Sequence, residues 1–155
     1  MARKKGKIQP GMVDVSQKDV TRRVAVACSR LQMSPKAFDI LLKQGSPKGD
    51  VLETAKVAGI MAAKATPMII PLCHPLVLSK VNIQFAMDQK RGIVMTTAEV
   101  ICWGRTGVEM EALTAACVSA LTIYDMMKWA DLRMTILDIK LLKKSGGKSG
   151  LYVSL

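Results

Sequence analysis

Asp125 and Lys128 stand three residues apart in a largely apolar stretch, residues 120–130. On a helix that spacing puts both on one face. A lysine held beside a carboxylate in a partly dry site can take part in proton transfer; alone, the same spacing also describes an ordinary helical ion pair. His74 is the only histidine, in Pro71-Leu72-Cys73-His74-Pro75. Its flanking prolines hold the backbone extended and fix the ring in place. It reads as a satisfied buried histidine or as a functional one. A metal site is disfavoured, because only Cys73 is adjacent and no ligand spacing follows. Glu109 and Glu111 open a helix after Gly104-Arg105-Thr106-Gly107, where acids also complement the helix dipole. Lys144-Ser145-Gly146-Gly147-Lys148-Ser149-Gly150 has the composition of a phosphate loop. It is not a P-loop: the first glycine of that motif would fall at Leu142, and no helix fits before Leu155. Its glycines still let backbone N–H groups approach an anion, and its lysines add charge; a mobile polar loop would look the same.

Glu111 and Asp125 are separated by 14 positions. At about 100° per residue they nearly align, yet at about 1.5 Å rise they lie roughly 21 Å apart. One small ligand cannot sit tightly against both in one chain, so a site using both is expected to be shared between subunits.

The elements that must position these residues follow from pattern. Residues 20–31 partly alternate, with Val24, Val26 and Cys28 on one side, and predict a strand. Ser34 followed by Pro35 predicts an N-cap for a helix over 35–44 that ends at Gly45. A loop then carries Lys48. Asp50 with Glu53 resembles a capping box for a helix expected to run to about Lys64 and stop before Pro67. Its small face of Ala55, Ala58, Gly59 and Ala62 implies close packing, expected against the sheet, or else a subunit contact together with the long helix. Residues 68–78 predict an apolar loop. Residues 80–88 and 93–102 predict a hairpin turning at Gln89-Lys90-Arg91-Gly92, residues 108–129 a long helix, and residues 134–142 a last strand followed by a Gly-rich loop and a short tail. The order is β-α-β-β-α-β with one extra helix in the first crossover, an α+β, ferredoxin-like sandwich on an antiparallel sheet.

Composition narrows the function. The chain has 155 residues, half of them hydrophobic, enough for one core and a single domain over 13–155, after a basic arm at 1–12 expected to be flexible. No apolar run reaches the roughly eighteen residues of a membrane span, and no apolar signal core follows the basic start, so a cytoplasmic protein is expected. Cys28, Cys73, Cys102 and Cys117 are far apart without a CxxC pair, which favours reduced thiols over disulfides or zinc. A net charge of +11 asks for a polyanionic partner. Only 4% of residues are aromatic, whereas single-strand nucleic-acid binders stack bases on aromatic rings. A small polyphosphate is therefore the expected ligand rather than nucleic acid.

The segments Met12-Val13-Asp14-Val15-Ser16, Lys48-Gly49-Asp50-Val51, Ile70-Pro71-Leu72-Cys73-His74-Pro75-Leu76, Thr106-Gly107-Val108-Glu109-Met110-Glu111-Ala112 and Ala120-Leu121-Thr122-Ile123-Tyr124-Asp125-Met126, together with the Gly-rich loop, closely resemble the molybdenum cofactor biosynthesis protein C family in order along nearly the whole chain. The resemblance implies an enzyme that converts 3′,8-cyclo-7,8-dihydroguanosine triphosphate, made by a radical-SAM GTP cyclase, to cyclic pyranopterin monophosphate and pyrophosphate. It implies a homohexamer, a trimer of dimers with sites at subunit interfaces. It also implies a catalytic role for Asp125, with Lys128 as its partner, and substrate binding by Leu72, Cys73, His74, Glu109, Met110, Glu111, Lys48, Lys64, Lys144 and an arginine aligned to Arg23, with Arg22 one position away. Arg105 stands where that family usually has lysine. The chemistry requires no net electron transfer, so no redox cofactor is needed and no cofactor is expected to be required; a magnesium ion on the substrate phosphates is compatible with it. A non-catalytic ferredoxin-like nucleotide-binding module is the rival reading.

Overall fold

The computed structural model describes residues 10–155, so most of the expected N-terminal arm lies outside the described residues. Eight elements follow in order: β1 (Thr21–Gln32), α1 (Pro35–Lys43), α2 (Val51–Ile69), β2 (Leu78–Asp88), β3 (Ile93–Gly104), α3 (Glu109–Met127), β4 (Thr135–Ser145) and β5 (Tyr152–Val153). The sheet order is β2-β3-β1-β4-β5, and every neighbouring pair is antiparallel. Removing the short β5 leaves the ferredoxin-like order, with α1 the extra helix. No described helix is long and apolar enough to cross a membrane.

The local signals act as expected. Ser34 accepts from Ala37 N and caps α1, and Asp50 accepts from Glu53 N and caps α2. Each satisfies one of the orphan donors of a first turn.

Three features differ from the sequence reading. Helix α2 does not stop before Pro67 but runs through it to Ile69. A proline in the last turn forfeits a single helical N–H bond, and the ladder resumes with Ile70 N donating to Thr66 O at 2.9 Å. Strand β4 runs past Leu142 to Ser145 because, beyond a bulge, it pairs with Val24–Val26 of β1. The short tail is not free, since Tyr152 and Val153 pair with Lys144 and Lys143. The face of β1 packed under the helices is Ala25, Ala27, Ser29 and Leu31; Ser29 Oγ donates to Ala116 O of α3 at 2.8 Å.

The small face of α2 meets α3 and, at Gly59, also Ile83 of β2 in the sheet. Ser119 Oγ of α3 donates to Ala55 O of α2 at 3.0 Å. At Gly59 a Cβ would overlap Ser119 Oγ and come within 3.1 Å of Ala115 O, so only glycine permits this approach. The core divides along α3. Its first half packs with Ala25, Ala98, Val100 and Cys102, and its second half with Leu31, Phe38, Val51 and Met134. The two ends of α3 therefore present two separate groups of polar side chains.

Candidate active site

The N-terminal end of α3 forms one wall of a cavity of about 440 Å³. Leu72, Cys73 and His74 line it from the loop after α2, and Glu109, Met110 and Glu111 from the first turn of α3. These are the six residues that the resemblance places together, and the fold does bring them together. Glu111 is only 3% exposed. Burial pushes its carboxyl above the ordinary range, and the nearby charge of Glu109 adds to this. Burial likewise raises the Cys73 thiol, with Glu111 contributing, so it is a neutral wall group rather than a thiolate. His74 Nε2 lies 2.8 Å from Val13 O. Among the described residues no three His, Cys, Asp or Glu side chains stand close enough to hold a metal ion.

A second, polar cavity of about 200 Å³ adjoins the first and shares Lys18, Thr106, Gly107 and Glu109 with it. Arg23 and Lys144 line it, along with Arg105 and the start of the Gly-rich loop. Lys144 sits on β4, so it is held by the sheet rather than by a loose loop. Its Nζ lies 3.5 Å from Glu109 Oε1 and also donates to Ser149 Oγ. Arg23 is buried, while Arg22 is exposed, so Arg23 is the arginine of the pair that faces this cavity. Its Nε donates to Gly104 O at 3.2 Å, and its guanidinium fills the space beside Gly147 that a side chain would occupy. Lys148 lines a third hollow with Arg23 and Lys18. An apolar-walled chamber thus opens into a trough of cations and loop glycines, suited to a polyanion attached to a flat ring.

At the other end of α3 Asp125 binds two lysines. Lys48 Nζ is 2.6 Å from Asp125 Oδ2, and Lys128 Nζ is 2.8 Å from Asp125 Oδ1. The hydrogen bonds from Lys128 and Lys48 hold the Asp125 carboxyl down at about 2, and the bond to Asp125 raises Lys128. All three side chains are about half exposed, so the partly dry setting expected from the apolar stretch is not present within one chain. The reason is helical: the apolar neighbours Ile123, Met126 and Met127 turn inward to the core, leaving this face open. Lys64 is exposed on α2 and lines neither of the two adjoining cavities.

Sequence reasoning assigned no site role to Lys18, Arg105 or Val13. Met12-Val13-Asp14-Val15-Ser16 was part of the resemblance, but nothing in its composition shows that it crosses the cavity.

The sequence profile of the MoaC family matches residues 12–147. A protein of Rhodospirillum rubrum is 52% identical over 143 residues, covering 92% of this chain and 86% of its own length. One of Parvibaculum lavamentivorans is 54% identical over 141 residues, covering 91% and 88%. One of Desulfatibacillum aliphaticivorans is 51% identical over 150 residues, covering 97% and 93%. Each is named cyclic pyranopterin monophosphate synthase. With a family profile spanning most of its length and relatives at half identity along nearly all of it, the chain belongs to the MoaC family.

Proposed function

We propose that the protein is a cyclic pyranopterin monophosphate synthase of molybdenum cofactor biosynthesis. It takes 3′,8-cyclo-7,8-dihydroguanosine triphosphate from a radical-SAM GTP cyclase in the cytoplasm and yields the cyclic pterin phosphate and pyrophosphate. The observation that carries this reading is the chamber of Glu111, His74 and Cys73 opening into the cation-lined trough of Arg23 and Lys144, in a chain whose relatives bear that name. The guanine-derived ring fits the chamber and the triphosphate the trough.

The guanine-derived ring must open and reclose, which needs proton transfers. The ribose oxygen then attacks the α-phosphorus, forming one P–O bond as the bond to pyrophosphate breaks. Cations beside the trough stabilise the charge that develops on the phosphoryl oxygens and leaving group. Glu111, biased toward its protonated form by burial, is suited to donate a hydrogen bond or proton to the ring. Asp125 stays ionised and keeps Lys128 an ammonium group; Lys128 holds its proton until substrate covers the face and weakens that hold, and can then donate it. No cofactor is required. A magnesium ion on the substrate phosphates would be held by substrate oxygens.

Glu111 and Asp125 sit at opposite ends of α3, about 21 Å apart by helical rise. The reading therefore includes a homohexamer, a trimer of dimers, in which the Lys48, Asp125 and Lys128 of one subunit complete the chamber of another. Incubating the protein with the cyclised GTP intermediate tests the function. Pterin product and one pyrophosphate per turnover are expected. Binding without pyrophosphate release would favour a non-catalytic nucleotide-binding module.

A further inference from the structure

Residues 13–18 cross the chamber, with Val13, Val15 and Lys18 on its wall. Apolar burial holds them only weakly, since Val13 is 67% exposed and Val15 is only partly buried. The segment is turned on itself by Asp14 Oδ1 accepting from Ser16 N at 2.9 Å and by Lys18 N donating to Val15 O at 3.0 Å. Its tie to the body is polar. Arg105 Nη1 donates to Ser16 O at 2.8 Å and to Lys18 O at 2.5 Å. Arg105 stands on the turn between β3 and α3, four residues before Glu109. The segment in turn reaches His74, whose Nε2 is 2.8 Å from Val13 O.

A carbonyl oxygen can only accept, so His74 Nε2 must carry a proton. In the neutral ring this leaves Nδ1 with the lone pair, available as acceptor or base. The partner that imposes this choice is a main-chain carbonyl 61 residues away in sequence, on a strand of chain with little else to hold it. We infer that Arg105 is a positioning residue for His74: by clasping residues 13–18 across the chamber it keeps the Val13 carbonyl on the ring and so fixes which nitrogen bears the proton. A guanidinium suits this task, because its donors lie in a rigid plane and it keeps its charge. The effect on turnover rests on the chamber being the substrate site, as proposed above; the tautomer does not.

His74 is the only histidine, which makes ¹⁵N-labelled imidazole a clean reporter. Spectra recorded at alkaline pH, without substrate, should show the Nε2–H tautomer in the unaltered protein. In Arg105→Ala both ring nitrogens should move toward the averaged shifts of free imidazole, and amide exchange over residues 13–18 should accelerate. Turnover should fall about 10–100-fold in kcat, the scale of a mispositioned reacting group, and KM should rise as well, because Arg105 also lines the cation trough. Arg105→Lys keeps the charge and the donors on a flexible stem and should recover the tautomer and kcat in part. Arg105 is exposed, so its replacement should not disturb the core; Arg105→Met keeps the apolar stem and serves if the alanine variant does not fold. A folded alanine or methionine variant whose His74 spectrum is unchanged overturns the inference. Unaltered protein that fails on the cyclised GTP would sink the proposed function and leave the spectral result standing.

Discussion

Gly147 and Gly150 lie in the same loop, and comparing them isolates the seat of Arg23. Both have positive φ, +73° and +64°, so alanine at either should cost about 1–2 kcal/mol for the left-handed backbone. Around Gly150 a Cβ meets nothing within 4 Å. At Gly147 the new methyl would overlap Nη1 of Arg23 and lie 2.7 Å from its Cζ. The guanidinium must leave, and its Nε hydrogen bond to Gly104 O breaks. Losing a buried hydrogen bond from a charged donor costs about 1.5–3 kcal/mol. Gly150→Ala should therefore destabilise by about 1–2 kcal/mol and Gly147→Ala by about 2.5–5 kcal/mol. Urea unfolding with equal m-values measures the difference. Pyrophosphate titration should show weakened binding for Gly147→Ala alone, because only that change withdraws a cation from the trough. If the two variants unfold within about 0.5 kcal/mol of each other, the precision expected of independent surface changes, the seating of Arg23 by this loop is refuted.

Asp125→Asn and Lys128→Ala should each lower turnover about 10²–10⁴-fold, combine non-additively and leave Tm nearly unchanged, because the charges are half exposed; near-normal single-turnover rates would make the pair merely structural. For Glu111, burial raises the folded carboxyl above its ordinary 4.5, so its contribution to stability is complete below that value and is lost as pH rises through the folded one. Glu111→Gln should accordingly raise Tm at pH 7, with the gain shrinking toward acid pH, and a lower Tm at pH 7 would contradict this. Lys48 and Asp125 are bonded within one chain, so a test of subunit complementation mixes His74→Ala with Asp125→Asn. If the site is shared, random mixing should rebuild about a quarter of the sites, and complete inactivity of the mixture would place both residues in a site within one chain.

Much of this molecule is set by short-range rules that a sequence displays openly. The caps at Ser34 and Asp50, the hairpin turning at Gly92 and the shared face of Asp125 and Lys128 follow from side-chain reach and from helical or strand period. The grouping of Leu72, Cys73 and His74 with Glu109, Met110 and Glu111 was legible through resemblance to known sequences, not through spacing. The rest depends on contacts that no local pattern encodes. Lys48 reaches Asp125 across 77 residues because α1 and the following loop pack beside the end of α3. Arg23 faces the trough because strand alternation points it to the helix side, where Gly146 and Gly147 leave room for it. The sequence shows that the α2 face is small; only packing decides that α3 fills it, through the Ser119–Ala55 bond. Glu111 owes its raised carboxyl to burial, and His74 its protonated nitrogen to a carbonyl from a distant segment. Helix period and capping act within a turn or two, whereas burial and long-range hydrogen bonds exist only once the layers have closed.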